Sequence, residues 1–456
     1  MPQQTVDVSE IIERQKLSGF LIGLVLVSWL ITFFDGFDTN LISFASPYLA
    51  TAYHLSRIEL GHIFAMGLMG TLIGGFVFGY IGDRIGRRPA VILATAAFGV
   101  LTMCFAFANG YWPFFLLRLI AGIPLGGMLP LAWSLNMEYV PKRYRTTIVT
   151  IIMMGFSLGT GFAGPIAVWL IPKLGWQAVF VLGGAVALAC AGILFFLLPE
   201  SIRFLASKQR SPQRIASVLA KIAPGEQFSA GAQYIAGDEP TIRKDFKPSM
   251  LFQGELLKIT PLIWLAYIAS SFAVYFLVNW TPLVFEALQF TRSEAATAAS
   301  LTSIMGAFGG LTLMRFTDRH GANAITIMPV ITMALLFTAT FAGLPHKSFQ
   351  VLNACIGFFL IGGHFGVLSV CGVFYPSAFR GNGTGWASSM SKIGSVAGPL
   401  VGGYVLSTHL PVRYVFAVLA ICPAIFATCI FAVGRIHSRM LGREALVELE
   451  EARLAS

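Results

Sequence analysis

Apolar residues run along this chain in long blocks, and polar and charged residues gather in the gaps between them. Twelve blocks lie at 18–48, 59–81, 89–108, 112–138, 147–171, 177–198, 259–288, 294–316, 323–343, 349–375, 382–407 and 412–434. A helix needs about 20 apolar residues to cross the hydrocarbon of a bilayer. The strands of a membrane β-barrel would instead alternate apolar and polar over about ten residues, and these blocks do not alternate. The pattern therefore predicts an all-α integral membrane protein with twelve transmembrane helices.

The gaps orient those helices. The chain is 56% hydrophobic and 11% charged, far below the charge of a soluble domain, and its mean hydropathy is +0.75. If both termini lie on one side, 24 of the 31 Lys and Arg fall on that side. Five fall on the other (Arg57, Lys173, Arg292, Lys347 and Arg413), and two, Arg118 and Lys392, lie inside spans. Positive charge stays on the cytoplasmic side, so both termini are expected there. The net charge of +10 is then a topology signal and calls for no nucleic-acid partner. The first 17 residues are polar and mixed in charge, without a cleavable-signal pattern, so the first span is expected to be retained. The six cysteines sit in apolar blocks and read as small buried hydrophobes.

The longest polar stretch, 199–258, carries nine Lys and Arg. It reads as a cytoplasmic linker between a bundle at 1–198 and a second at 259–435, with a charged tail at 436–456. The halves match at a shift of 235 residues. Asp83, Arg84 and Gly86 land on Asp318, Arg319 and Gly321, and Gly122 and Gly127 on Gly357 and Gly362. Pro47, Pro141, Arg145 and Gly159 land on Pro282, Pro376, Arg380 and Gly394. Two parallel repeats follow, with a substrate site expected at their meeting near mid-membrane. Other charged positions are not shared. Asp35 maps to Ser270, Asp38 to Ala273, Arg118 to Asn353 and Glu138 to Val373; Lys392 maps back to Ser157 and His364 to Leu129. Unshared charges inside the membrane are the better candidates for chemistry.

Three motifs stand in order along the chain. The loop GYIGDRIGRR (79–88) joins spans two and three and has a weaker copy, TDRHG (317–321). Span four opens on R-x-x-x-G at Arg118 and Gly122, and PES (199–201) closes span six. Together they resemble the major facilitator superfamily across the whole chain. That resemblance implies the major facilitator fold, two six-helix pseudo-repeats that rock to give alternating access. The DGFD element (35–38) in span one is similar to the D-G-x-D signature of the aromatic acid:proton symporters within it, and EYVPKR (138–143) and VYFLVNWTP (274–282) are similar to that family too. The resemblance implies import of hydroxybenzoate-type carboxylates with protons by a monomeric carrier in a bacterial inner membrane. The proton gradient drives it, and no cofactor is expected.

Asp35 and Asp38 lie at i and i+3, on one helix face. Ionised groups in a membrane normally face a cavity and work there, so the pair is the candidate proton site and would titrate as a unit. Arg118 keeps its charge and needs an anion: an aspartate when the site is empty, a substrate carboxylate held bidentately when it is full. Tyr275, Asn279, Trp280 and Trp386 suit an aromatic guest, or pack. Lys392 reads as a second anion contact or as a residue snorkelling to the cytoplasm, and His364 as a proton relay or a packing histidine. Asp83, Arg84, Arg87, Arg88, Glu138, Arg145, Asp318, Arg319 and Arg380 form the expected cytoplasmic gate. Asp83 is expected at a helix N-terminus; Arg84, Arg87 and Arg88 can pair with acids such as Glu138, which is expected in a network with Arg84 or Arg88.

Other functions fit less well. An antiporter or exporter of the same fold often carries G-P-x-x-G-G in span five, whereas GTGFAGPIAVW (159–169) lacks the paired glycines. A sugar or other organic-acid importer of the same fold comes third; sugar porters share the loop and PES but usually lack the acidic pair. An enzyme would need a nucleophile or metal motif such as H-E-x-x-H, G-x-S-x-G or a P-loop, and none occurs.

Overall fold

The computed structural model describes residues 5–15, 18–207, 212–223, 228, 232–235, 247–320, 325–375, 380–408 and 410–436. The chain divides into two compact units, one of residues 1–55 and 66–243, the other of 56–65 and 244–456. The first carries α2 (Gly19–Tyr53), most of α3 (Arg57–Ile85), α4 (Arg87–Cys104), α5 (Tyr111–Tyr139), α6 (Arg145–Leu174) and α7 (Gln177–Leu197). The second carries α10 (Leu256–Ala287), α11 (Arg292–His320), α12 (Ile327–Phe341), α13 (His346–Phe374), α14 (Arg380–Ser407) and α15 (Tyr414–Leu419), which continues through a turn as helix to Ile436. A helix stands at each of the twelve apolar blocks.

Nine of the described helices are long and apolar enough to cross a membrane. The blocks for spans eight, nine and eleven fall short of that measure for physical reasons. α12 has 15 residues, and α11 and α14 are rich in Gly, Ala, Ser and Thr. Those small residues lower hydropathy, yet they favour close helix packing in lipid, where apolar burial no longer drives association.

The 235-residue offset reappears as packing. A methyl added at Gly122 would meet the carbonyl oxygen of Gly67, and one at Gly357 that of Thr302, which is residue 67 shifted by the same offset. Gly74 abuts the Ile123 carbonyl and Gly309 the Phe358 carbonyl; Gly159 abuts Phe33 and Gly394 abuts Ile268. Each pair of helices, α3 with α5, α2 with α6 and their images, touches backbone to backbone at the same residues in both halves.

The described parts of the N-terminal segment and of the 199–258 stretch form strands and helices that pack on the first unit. β1 (Thr5–Asp7) pairs in parallel with β2 (Gln233–Ile235). α1 (Val8–Arg14) starts where Asp7 Oδ1 accepts the Ser9 N–H at 2.9 Å. Val8 and Ile12 join Ile215, Leu219 and Ile222 of the amphipathic helix α9 (Pro212–Ile222) and Tyr234 in one buried cluster, continuous with Leu21, Leu24, Leu135 and Tyr139. Gln15 donates to the Tyr139 carbonyl, and Arg143 Nη2 donates to the Gln15 carbonyl at 2.7 Å. A short helix, α8 (Ile202–Ser207), completes this cap on the first unit. The charged tail at 436–456 lies outside the described residues, Ile436 apart.

Candidate functional site

The first unit buries an ion pair deep among apolar helices. α2 carries Asp35 and Asp38, 5% and 4% exposed, and α5 carries Arg118, 8% exposed. Gly36, between the two acids, lies against the Phe156 carbonyl of α6. The glycine of DGFD thus lets a neighbouring helix approach while its flanking carboxyls stay inside the unit. Arg118 Nη1 donates to Asp38 Oδ2 at 3.5 Å, and Thr102 Oγ1 donates to Asp38 Oδ1 at 3.5 Å. The guanidinium carbon stands 5.8 Å from the centroid of the Phe105 ring, just past the end of α4. A methyl at Gly67 would come within 3.2 Å of Arg118 Nε, so this glycine leaves room for the side chain. That Nε is buried and has no hydrogen-bond partner. The pair is long for a charge-assisted bond, which is normally about 2.7–2.9 Å, and the arginine keeps donors in hand. Asp35 is buried one turn earlier, and its carbonyl accepts from Thr39 Oγ1 at 2.8 Å.

The repeat supplies an internal control. At the images of Arg118 and Gly67 the second unit has Asn353 and Thr302, joined by a hydrogen bond from Asn353 Nδ2 to Thr302 Oγ1. At the images of Asp35 and Asp38 it has Ser270 and Ala273, both buried. The same helix crossing therefore stands on neutral residues. No Asp or Glu is among the fully buried polar residues described in the second unit.

At the end of the first unit that carries the GYIGDRIGRR loop, Glu138 pairs with Arg87 and accepts from Ser201 Oγ. Its arginine partner is Arg87, one of the three loop arginines able to reach such an acid, and neither Arg84 nor Arg88 shares it among the described ion pairs. Arg84 Nη1 donates to Tyr80 Oη at 2.7 Å, while Arg88 reaches the Phe195 carbonyl and stands over its ring. The N-terminus of α4 is capped by Glu200 of the PES motif. Its Oε1 accepts the N–H groups of Arg87 at 3.0 Å, Arg88 at 3.2 Å and Ser201 at 2.9 Å. The capping place foreseen for Asp83 is thus held by Glu200, and Asp83 is exposed. Gly86 enters α4 at φ 109°, against the Glu200 carboxylate, where a side chain would be strained and would clash. The side chains of Arg145, Asp318, Arg319 and Arg380 lie outside the described residues.

Span-seven aromatics divide in role. Trp280 is fully buried, donates Nε1–H to the Pro399 carbonyl at 3.1 Å, and meets Phe64 edge-on at 5.3 Å. Gly402 packs directly on its indole. Its ring and its donor are thus engaged in packing α10 against α14 and the first turns of α3. Asn279 is buried and donates to the Tyr275 carbonyl at 2.7 Å; Tyr275 is half-buried. Trp386 stacks on Trp264 with centroids 6.2 Å apart and is 37% exposed. His364 Nδ1 lies 3.0 Å from Ser270 Oγ, its ring meets Tyr267 edge-on at 5.7 Å, and Lys392 acts on it electrostatically.

Sequence reasoning missed Thr102, Phe105 and Gly67 around Arg118, because each is ordinary for its helix. Glu200 was visible within PES, yet its capping task appears only once spans three and six are neighbours.

The Major Facilitator Superfamily model matches residues 28–373 and 263–448. The chain is 31% identical over 442 residues to the gallate transporter of Pseudomonas putida, covering 97% of each. It is 29% identical over 433 residues to the 4-hydroxybenzoate transporter PcaK of Acinetobacter baylyi, covering 94% of each. Among solved structures it is similar to the inward-open xylose transporter XylE from E. coli, with a TM-score of 0.71 over 90% of this chain and 95% of that one. At 18% identity that likeness speaks for the fold alone.

Proposed function

The chain belongs to the Major Facilitator Superfamily, a family of transporters, and from that membership we propose that it imports hydroxybenzoate-type carboxylates together with protons. The observation that carries this reading is the buried Asp38–Arg118 pair, set against its neutral Ala273 and Asn353 images. Burying two charges is costly, and a fold that needs none can use apolar or neutral residues instead. The second repeat does so, which leaves the charges of the first free for chemistry. The relatives named above are transporters of gallate and of 4-hydroxybenzoate, and both names fit an anionic guest for an arginine.

The cycle follows from the donors. In the empty carrier Arg118 is matched by Asp38. An incoming carboxylate takes the guanidinium as a bidentate partner. The released aspartate, with Asp35 one turn away, takes up a proton. The site is then neutral apart from the new Arg118–substrate pair, and the bundles can rock without dragging an uncompensated charge through lipid. Return of the proton to the cytoplasm restores the Asp38–Arg118 pair and expels the substrate. Twelve spans with both termini cytoplasmic, a bacterial inner membrane, a monomeric carrier and no cofactor complete the proposal. Glu138 with Arg87 and the Glu200 cap act as the cytoplasmic latch. Arg118→Gln is expected to abolish uptake while the protein still inserts and purifies as a folded monomer; uptake retained in that variant would overturn the reading.

A further inference from the structure

The second unit contains a polar cluster that the coupling cycle does not use. His364 on α13 bonds Ser270 on α10 inside one unit, and Lys392 on α14 lies within electrostatic reach of the imidazole. Their images in the first repeat, Leu129, Asp35 and Ser157, have different chemistry. Where the first repeat has an acid, the second has a hydroxyl bonded to an imidazole and a cation nearby. None of the second unit's described, fully buried polar residues is a carboxylate. Such a cluster is matched to a guest with oxygen atoms and negative charge.

We propose that His364, held by Ser270, is the contact that reads a ring hydroxyl of the substrate and sets the preference for hydroxylated over plain benzoates. The inference rests on the aromatic-carboxylate reading above. His364 Nδ1 is engaged by Ser270 at 3.0 Å, which fixes the ring plane and aims Nε2 at the opposite side. His364 keeps accessible surface although it sits well inside its helix bundle. Tyr267, edge-on to the imidazole, holds the ring from the side. The chemistry of a hydroxyl fits both tautomers. If Ser270 donates to Nδ1, then Nε2–H donates to the hydroxyl oxygen. If Nδ1–H donates to Ser270, then Nε2 accepts the hydroxyl proton. A carboxylate, which only accepts, is served by one tautomer alone, so the histidine is better suited to the hydroxyl and Lys392 to the negative charge.

The test uses the full chain in proteoliposomes under an imposed proton gradient, with labelled 4-hydroxybenzoate and benzoate in parallel. One hydrogen bond of ordinary net strength corresponds to about fivefold in KM. His364→Leu places the residue of the first repeat at this position and is expected to lower the 4-hydroxybenzoate over benzoate preference about fivefold. His364→Gln, with a donor and an acceptor, is expected to retain most of the preference. Ser270→Ala, which leaves the imidazole but frees its orientation, is expected to fall between. Equal loss for both acids in His364→Leu overturns the inference and makes His364 a packing residue. Loss of gradient-driven accumulation with the preference intact overturns it in favour of a proton relay. A wild-type protein that carries neither acid overturns the reading beneath it, whereas normal wild-type uptake with an unchanged preference in all three variants overturns this inference alone.

Discussion

Asp38→Asn is expected to separate binding from coupling. In the resting carrier Asp38 and the substrate compete for Arg118. Two unit charges 3.5 Å apart attract by about 5 kcal/mol at an effective dielectric of about 20. Desolvation of both groups offsets most of that, and the remainder is what a substrate must overcome. A remainder of about 1.4 kcal/mol is tenfold in Kd. Asparagine keeps the shape and can still accept from Thr102, but it carries no charge and takes no proton. The variant should therefore bind an aromatic carboxylate about tenfold more tightly and accumulate none of it against a gradient. Its affinity should also be flat with pH. In the wild type, protonation of the aspartate releases Arg118, so affinity should rise as pH falls, since ligands that favour one state reinforce each other. Isothermal titration of purified protein at two pH values, with uptake alongside, reads all of this. Unchanged or weaker binding in Asp38→Asn, or pH-dependent binding equal to that of the wild type, would refute the competition.

Other consequences follow from the packing. Glu138→Gln leaves the Arg87 cation without its anion; the range for breaking a buried pair is about 3–5 kcal/mol, but Arg87 is 26% exposed, so thermal unfolding in detergent should register a loss nearer about 1–3 kcal/mol. Glu200→Ala removes the acceptor of two α4 amides and of Ser201 and should cost about 1–2 kcal/mol, seen as earlier amide exchange at the start of α4. Gly122→Ala and Gly357→Ala each press a methyl onto a backbone carbonyl and should each cost about 1–3 kcal/mol. By contrast Gly192→Ala, with no atom within 4 Å of the new methyl, should stabilise α7 by up to about 1 kcal/mol; a penalty there matching that at Gly122 would contradict the close-approach account.

Much of this architecture is legible in the chain because lipid leaves a backbone few options: its polar groups must bond within a helix, and helices then appear as long apolar blocks. The repeat is legible because close helix contact demands glycine at fixed places, such as Gly122 and Gly357. The need of Arg118 for an aspartate is legible from charge alone. Its choice of Asp38, rather than Asp35, depends on how α2 and α5 are turned, which periodicity does not specify. Thr102 and Gly67 are invisible for the same reason. The β1–β2 pair joins three-residue strands from the two ends of the first unit, too short and too far apart in sequence for any local pattern. Trp280 had the chemistry of a ligand contact, but the Pro399 carbonyl already holds its donor.

The most direct measurement is accumulation of labelled 4-hydroxybenzoate and gallate into proteoliposomes with an imposed inward proton gradient that is then collapsed. The account predicts accumulation that follows the gradient, is abolished by its collapse, and is absent in Asp38→Asn and Arg118→Gln proteoliposomes of equal protein content. Accumulation that persists without the gradient or in those variants would contradict it, as would proton movement driven by a cationic or neutral compound with no uptake of either acid.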